Sequence, residues 1–273
     1  MGLIQSEKDG SYLTFDEEKH SYTLNGEAAV GVTTFIKGGL PTSEPLINWR
    51  AGKAAEYVVG FFQDWRTSED EFPDAKALKE VVKRAKQAFK AHSDAAANIG
   101  SIVHDYAYLT ELGRLDMANV LLANNADHPG RDKILNGVEK FLEWKKENKD
   151  ELLKSEAIVA SVRHHFGGKF DRLARRGNKI VLSDFKTSSG IFPDQFIQLG
   201  AYALAIEEWL DVRIDAVEIL RFGKEEGEFE VKGFNKKAEL KAFREQAIRC
   251  RETYEFNKMW GKKISGYALK GGR

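Results

Sequence analysis

Asp171, Asp184 and Lys186 have the residue types and spacing for phosphoester chemistry, and the stretch from 156 to 202 carries them. Glu156-Ala-Ile-Val-Ala leads into Phe166-Gly-Gly-Lys-Phe-Asp171, and after a short turn come Val181-Leu-Ser-Asp184-Phe-Lys186-Thr187 and then Gln198-Leu-Gly-Ala-Tyr202. Two carboxylates near the ends of adjacent antiparallel strands face each other and repel. A divalent cation relieves that repulsion, and oxygen-only ligation suits hard Mg2+ or Mn2+. Lys186 is two residues beyond Asp184, so it projects from the same face of its strand. A metal, a lysine and a water in one pocket would hydrolyse a phosphoester; the structural reading of the same Asp-x-Lys is a cross-strand ion-pair cluster.

The elements that must hold these residues follow from period and punctuation. Ser155 to Val162, Phe166 to Ala174 and Lys179 to Phe185 read as strands, with Arg175-Arg-Gly-Asn178 as the turn joining the last two. A helix from Pro193 through Trp209, strands at Ile214 to Phe222 and Glu228 to Val231, and a basic helical segment from Lys236 to Trp260 close the chain. Upstream, Tyr12 to Phe15 and His20 to Leu24 with Asn25-Gly26 predict a small antiparallel meander, and Val30 to Ile36 extends it or enters a helix capped by Thr33 or Thr34. Gly38-Gly39 and Pro41 break the chain, and Ser43 offers a cap to a helix bearing Leu46, Ile47, Trp49, Ala54, Ala55, Val58, Val59 and Phe62 at helical spacing. Further helices are expected over Lys76 to His92 (Leu78, Val81, Val82, Ala85 and Phe89 on one stripe), Ala95 to Leu112 with Gly113 as C-cap, and Gly130 to Lys149. Gly100, His104 and Tyr108 share one face of the second of these. The pattern predicts an α/β fold with a mixed central sheet flanked by helices. We expect an N-terminal meander and helical part over 1–94 packed on a core over 95–260, and a basic tail over 261–273.

Composition sets the outer bounds. The 273 residues, 42% hydrophobic, suffice for one large domain or two small ones with a buried core. No apolar run approaches the roughly 20 residues of a membrane-spanning helix, and the first residues carry no signal or transit character, so no membrane partner and a cytoplasmic location are expected. Cys250 is the only cysteine, which excludes an intramolecular disulfide, a cysteine-ligated zinc and an iron–sulfur cluster within one chain. Formal net charge is zero, yet from Lys236 to Arg273 eleven basic side chains stand against four acidic ones. A basic end on an otherwise acidic chain is either a polyanion contact or a solvated helix face.

Gly-x-x-x-His104 on a helix, Glu156 on a strand, Gly-x-x-Asp171, Asp184-x-Lys186-Thr187 and Gln198-x-x-x-Tyr202 occur in one order over roughly residues 98 to 206. Together they resemble the PD-(D/E)xK nuclease superfamily, specifically its RecB-like branch, with a restriction-endonuclease-like core. The resemblance implies that Asp171, Asp184 and His104 ligate the metal with the main-chain carbonyl of Phe185, and that Lys186 orients the attacking water or stabilises charge on the phosphate. Glu156 would be a second-metal ligand or a water-positioning base. Gln198 and Tyr202 would contact the lysine and the DNA backbone, and Thr187 and Ser188 would hold a phosphate. Ser101, Tyr108, Tyr106 and Phe192 would line the nucleic-acid path, and Lys258, Lys262 and Lys263 would draw DNA to the basic end. Phe170 stands where the family's proline would be. The N-terminal meander followed by Gly31-Val-Thr-Thr and Leu46-Ile-Asn-Trp49 looks like the leader of phage-encoded and mitochondrial genome maintenance exonucleases. The implied activity is Mg2+-dependent exonucleolytic hydrolysis of DNA at ends or single strands in replication, recombination or repair, beside a single-strand-binding or recombination protein. An endonuclease or resolvase on the same fold and a non-catalytic DNA-binding protein are the alternatives.

Overall fold

The computed structural model of the chain describes residues 3–68, 72–223 and 228–265. In chain order the elements are β1 (Leu3–Gln5), β2 (Tyr12–Asp16), β3 (Ser21–Leu24), β4 (Glu27–Gly31), α1 (Val32–Gly39), α2 (Glu44–Thr67), α3 (Ala75–Ala85), α4 (Ala88–Glu111), α5 (Leu115–Asn124) and α6 (Arg131–Glu147). They continue as β5 (Glu151–Ser161), β6 (Phe166–Arg176), β7 (Lys179–Lys186), α7 (Pro193–Trp209), β8 (Ala216–Phe222), β9 (Phe229–Phe234) and α8 (Lys237–Ser265). Two compact units divide the chain, one of residues 1–40 with 102–273 and one of Pro41–Ser101.

The larger unit holds the sheet. Strands β1 to β4 form the expected antiparallel meander, with one strand more than the sequence pattern gave. Asn25 and Gly26 both have positive φ, 50° and 87°, the backbone a two-residue hairpin of this hand requires. α1 starts directly at Val32 with Gly31 as its N-cap and no side-chain cap, so Thr33 and Thr34 sit inside the first turn. Gly38 and Gly39 are its last residues rather than a break: a Cβ on Gly39 would strike the Cys250 carbonyl of α8, so this glycine lets two helices touch backbone to backbone.

β6 is the hub of the sheet. It pairs antiparallel with β5 along nearly its whole length, antiparallel with β7 from Arg172 to Arg176, and parallel with β4 at Phe166 and Gly167. β7 runs parallel to β8, which pairs antiparallel with β9. One face is covered by α7, α1 and α8, whose Phe35, Phe196, Trp209, Leu240 and Cys250 join Phe166, Leu182 and Val217 of the strands in a single core. On the other face α6 places Phe141 against Phe185 and Phe222, with ring centroids 5.8 and 6.3 Å apart, and packs Gly137 against Val103 of α4. Helices on both faces of a mixed sheet are the expected α/β architecture.

The smaller unit is helical, as the periodicity predicts, but its stripes differ. No residue of α2 is buried, and Val82 of α3 is 52% exposed whereas Val81 and Ala85 are buried. Asp74 caps α3 by accepting from the Ala77 N–H at 2.7 Å. The expected 76–92 helix ends at Ala85, and α4 begins at Ala88, seven residues before the expected start. Trp49 packs edge-on to Phe89, with the Arg50 guanidinium 4.9 Å from the Phe89 ring centre.

Candidate active site

A strand has two edges, and on β6 one is filled by β5. β7 and β4 must therefore share the other, and between the Arg172–Ser183 pair and the Gly31–Gly167 pair they leave a gap. Asp171 sits at that gap. Its Oδ2 accepts the Phe185 N–H at 2.6 Å, a carboxylate taking a backbone donor where the β6–β7 ladder stops. Continuing the register one step past Arg172–Ser183 sets Asp184 opposite Asp171, and the Lys186 ammonium closes on Asp184 Oδ2 as the period of two requires.

β5 brings the third acid. Glu156 lies between the Ser155–Arg172 and Ala157–Phe170 pairs, hence beside Asp171, and its φ of 50° is in the left-handed region, where a residue with a side chain costs on the order of 1–3 kcal/mol. Ser155 Oγ donates to the Asp171 carbonyl at 2.8 Å and pins the strand there. α4 supplies His104, whose Nδ1 is 3.6 Å from Asp171 Oδ2 and whose ring meets Phe185 edge-on at 5.7 Å. His104, Glu156 and Asp171 each offer a ligand atom, and these atoms all lie within 4.8 Å of one another.

The next residue of β6 anchors this geometry from below. Arg172 is 1% exposed and donates to Glu111 at 3.2 Å and to Asp150 at 3.0 Å, with its guanidinium 5.0 Å from the Trp144 ring centre. Arg176 bridges Asp150 and Glu218, and Ser183 donates to Glu218 at 2.7 Å. With Lys145 of α6 also 2.9 Å from Glu111, α4, α6, β6, β7 and β8 are tied by one ionic network of shared partners, in which removal of one charged member strips its buried neighbours of part of their compensation.

Burial governs the electrostatics of the centre. It raises Asp184 to about 6, with Lys186 opposing and Asp171 reinforcing the shift. Asp171 and Glu156 are raised by the same cause, in Glu156 with a contribution from Asp171. His104 is lowered by burial and then by the Lys186 charge, which favours a neutral ring with a free lone pair. Burial pulls Lys186 down, but Asp184 and Asp171 outweigh it, and the ammonium is held charged.

The donor set fits a divalent cation. Asp184 Oδ2 is a buried oxygen whose close neighbour among the described residues is the Lys186 ammonium, an ion pair that leaves the acid's remaining lone pairs available to a cation. One imidazole nitrogen and several carboxylate oxygens, without sulfur, make a set that Mg2+ or Mn2+ accepts.

Around this centre the remaining candidates separate. Gln198 Nε2 donates to Tyr202 Oη at 3.0 Å, as i and i+4 on α7 allow. Tyr202 is buried against Gly168, where any Cβ would overlap its ring, so the tyrosine lies under the sheet rather than at its surface. Ser188 Oγ donates to the Gly190 carbonyl and accepts from Gln195, which ties the loop to the start of α7; Thr187 is half-buried beside it. Tyr106 is core, Tyr108 half-buried and Phe192 exposed. Ser101 is exposed and donates to the Ala97 carbonyl within its own helix. On α8, Lys258 stands 3.8 Å from Glu255 and the Lys263 ammonium 4.8 Å from the Trp260 ring centre; the Lys262 side chain and residues 266–273 lie outside the described residues.

Sequence reasoning missed Lys169. Its ammonium contacts Glu156 Oε2 at 2.5 Å, and the charge of Glu156 holds it protonated against the pull of burial. The signal was present: Lys169-x-Asp171 has the same period of two as Asp184-x-Lys186.

The fold and the acidic, lysine-flanked centre define a phosphodiesterase-type architecture. A model of the PD-(D/E)XK nuclease superfamily matches residues 61–259, and the chain belongs to that family. Solved structures that align with the chain include an alkaline exonuclease of Laribacter hongkongensis, 9% identical, with a TM-score of 0.37 over 87% of this chain and 95% of that one. The same Laribacter enzyme in complex with dAMP aligns with a TM-score of 0.35, at 9% identity over the same shares. A protein of Eubacterium rectale assigned as an exonuclease aligns at 12% identity and a TM-score of 0.44 over 84% of this chain and 82% of that one. No curated protein sequence matches the chain.

Proposed function

We propose that this nuclease is a metal-dependent deoxyribonuclease working exonucleolytically at DNA ends or single strands. The observation that carries the reading is the convergence of His104, Glu156 and Asp171 beside the Asp184–Lys186 pair at the gap in the sheet. His104, Asp171 and Asp184, with Glu156 and the Phe185 carbonyl, would hold Mg2+ or Mn2+. When bound, such an ion polarises a phosphoryl oxygen and lowers the pKa of a water. Lys186, fixed by Asp184, presents a positive donor to the charge that builds on the phosphate, an interaction stronger in the transition state than in the ground state. Where Glu156 does not ligate the ion, its carboxyl, raised by burial and by Asp171, would instead take the proton of the attacking water. The water oxygen forms the new bond to phosphorus, the ester bond to the leaving oxygen breaks, and that oxygen ends protonated. Gln198 and Tyr202 brace the floor of the site, and Thr187 borders it. Such an enzyme would serve replication, recombination or repair in the cytoplasm, beside a single-strand-binding or recombination protein.

The test is degradation of end-labelled linear DNA and of a covalently closed circle, each with Mg2+ or with EDTA. Linear DNA should be consumed only with the metal. Asp184→Ala should abolish both metal binding and cleavage, whereas Lys186→Ala should keep cation affinity by calorimetry and lose about 10² to 10³ in single-turnover rate. Cutting of the closed circle would replace the exonuclease with an endonuclease. Wild-type cleavage by either variant would reduce the centre to a structural ion-pair cluster.

A further inference from the structure

A second charged feature lies in the smaller unit, on residues the active site does not use. Between Ala75 and Lys90 stand six basic side chains and one acid, Glu80. Five of the six, Lys76, Lys79, Lys83, Lys86 and Lys90, recur at alternating steps of three and four residues, and all five are exposed. That spacing keeps successive side chains on one helical face. Val81 and Ala85 are buried and Leu78 is half-buried, so the apolar stripe of α3 lies on the side opposite the lysines. Chain winding continues past the end of α3: Lys86 is in the right-handed helical region, Gln87 bonds back to Arg84 and Lys90 to Gln87, which carries the stripe into the first turn of α4.

A solvated helix normally mixes the signs of its charges, because like charges one turn apart repel. Within residues 75–90 Glu80 is the one acid in the row, pairing with Lys83 at 3.4 Å and with Arg84 at 3.3 Å. From Lys76 to Lys86 the stripe spans about 15 Å at 1.5 Å per residue. One strand of B-form DNA presents about four phosphates over that length, at 3.4 Å each. A membrane-surface helix would set a broad apolar face beside the lysines and leave it open to lipid; in α3 Val81 and Ala85 are buried, and Val82 alone of its large apolar side chains is exposed.

We propose that this lysine stripe is a docking track for the phosphate backbone of DNA. The track rests on the nuclease reading for the identity of its partner only. Lysines of this kind act as point charges on phosphates and read no sequence, so the track holds any DNA strand along which the enzyme works.

Fluorescence anisotropy of a labelled 30-base-pair duplex, in EDTA and over a series of salt concentrations, tests it without requiring cleavage. Changing all five lysines to glutamine, which retains helix propensity, should weaken binding and reduce the slope of log K against log salt by about 0.7 to 0.9 for each phosphate no longer neutralised, or roughly 4 for five. Changing all five to arginine should preserve the slope. If the five-fold glutamine variant does not give the wild-type circular dichroism spectrum, Lys79→Gln with Lys86→Gln should still lower the slope by about 1.5. An unaltered slope in the folded variant overturns the track, as does stripe-dependent binding to phosphatidylserine vesicles with DNA binding unchanged. A stripe-dependent slope in a chain that cuts no DNA refutes the nuclease reading and leaves the track standing; cleavage with an unaltered slope does the reverse.

Discussion

Three carboxylates, two ammonium groups and one imidazole share the gap beside β6, and their charges do not balance without a further cation. Lys186 is committed to Asp184 and Lys169 to Glu156, which leaves Asp171 with a backbone N–H and the edge of His104. Burial and the Lys186 charge keep His104 away from its protonated form, so it cannot serve as the missing positive charge. At 3.6 Å the His104 nitrogen and the Asp171 oxygen are too far apart to hydrogen-bond, a separation at which both can ligate one ion. His104→Ala should accordingly weaken Mg2+ or Mn2+ affinity by about tenfold or more, the scale seen when metal-site geometry is disturbed. It should leave the thermal transition of the metal-free protein nearly unchanged, since the ring is not fully buried and its main packing partner is the edge of Phe185. Calorimetric titration beside a melting curve separates the outcomes: unchanged affinity with a lowered melting temperature would make His104 a packing residue.

At the scale of elements, small residues decide how closely the helices approach the sheet and one another. A Cβ on Gly200 of α7 would run into the Phe243 backbone of α8, an obstacle that no rotamer change removes. Gly200→Ala should therefore cost about 1–3 kcal/mol by overpacking. Gly60, on exposed α2 with open space around it, should behave oppositely, and Gly60→Ala should gain up to about 1 kcal/mol from helix propensity. Urea midpoints with unchanged m-values would report both, and a neutral Gly200→Ala would mean that α7 and α8 can slide apart at no cost. Such close approaches were invisible in the sequence, where Gly39 read as a chain break and proved to be a helix contact. What could be read were elements whose evidence is local. β5, β6, β7 and α7 showed alternating β-branched runs or helical spacing bounded by Gly, Asn and Pro, and the Asp184-x-Lys186 pair needed only the strand period. The division of α3 from α4 at Lys86–Gln87 involves neither Pro nor Gly, and α5 has no clean apolar stripe, so neither announced itself. The apolar positions of α2 fit a buried stripe in sequence and yet reach only half-burial, at Ala54, Val58 and Phe62, because periodicity states which residues share a face and not what covers it. The joining of β4 to β6, which opens the gap for Asp171, is a contact across more than a hundred residues and has no local signature at all.

At the scale of the whole molecule, a site of buried carboxylates works against the stability of the chain that carries it. Asp184 has its folded-state value raised to about 6 from 3.8, and Asp171 and Glu156 move the same way. Between about pH 4 and 6 the folded chain therefore keeps protons that the unfolded chain has released, so stability falls as pH rises through this window and stays lower above it. Every tenfold difference in proton affinity between the folded and unfolded chain is worth about 1.4 kcal/mol. Lys186 and Lys169 remain charged in both states across the window and contribute no slope to it. A divalent ion that binds only the folded chain offsets the loss, by about 2.7 kcal/mol at a hundredfold excess over Kd. In EDTA, the stability of wild type relative to Asp184→Asn should thus move in favour of wild type as pH is lowered from 7 to 5, because the variant has no carboxylate at this position to protonate. At pH 7, saturating Mg2+ should raise the melting temperature of wild type by more than that of the variant. Calorimetry at the two pH values, with and without the ion, measures all four quantities. Parallel pH curves for the two proteins in EDTA would mean that Asp184 ionises in the folded chain as it does in water, and the buried, cation-seeking centre would lose its electrostatic basis.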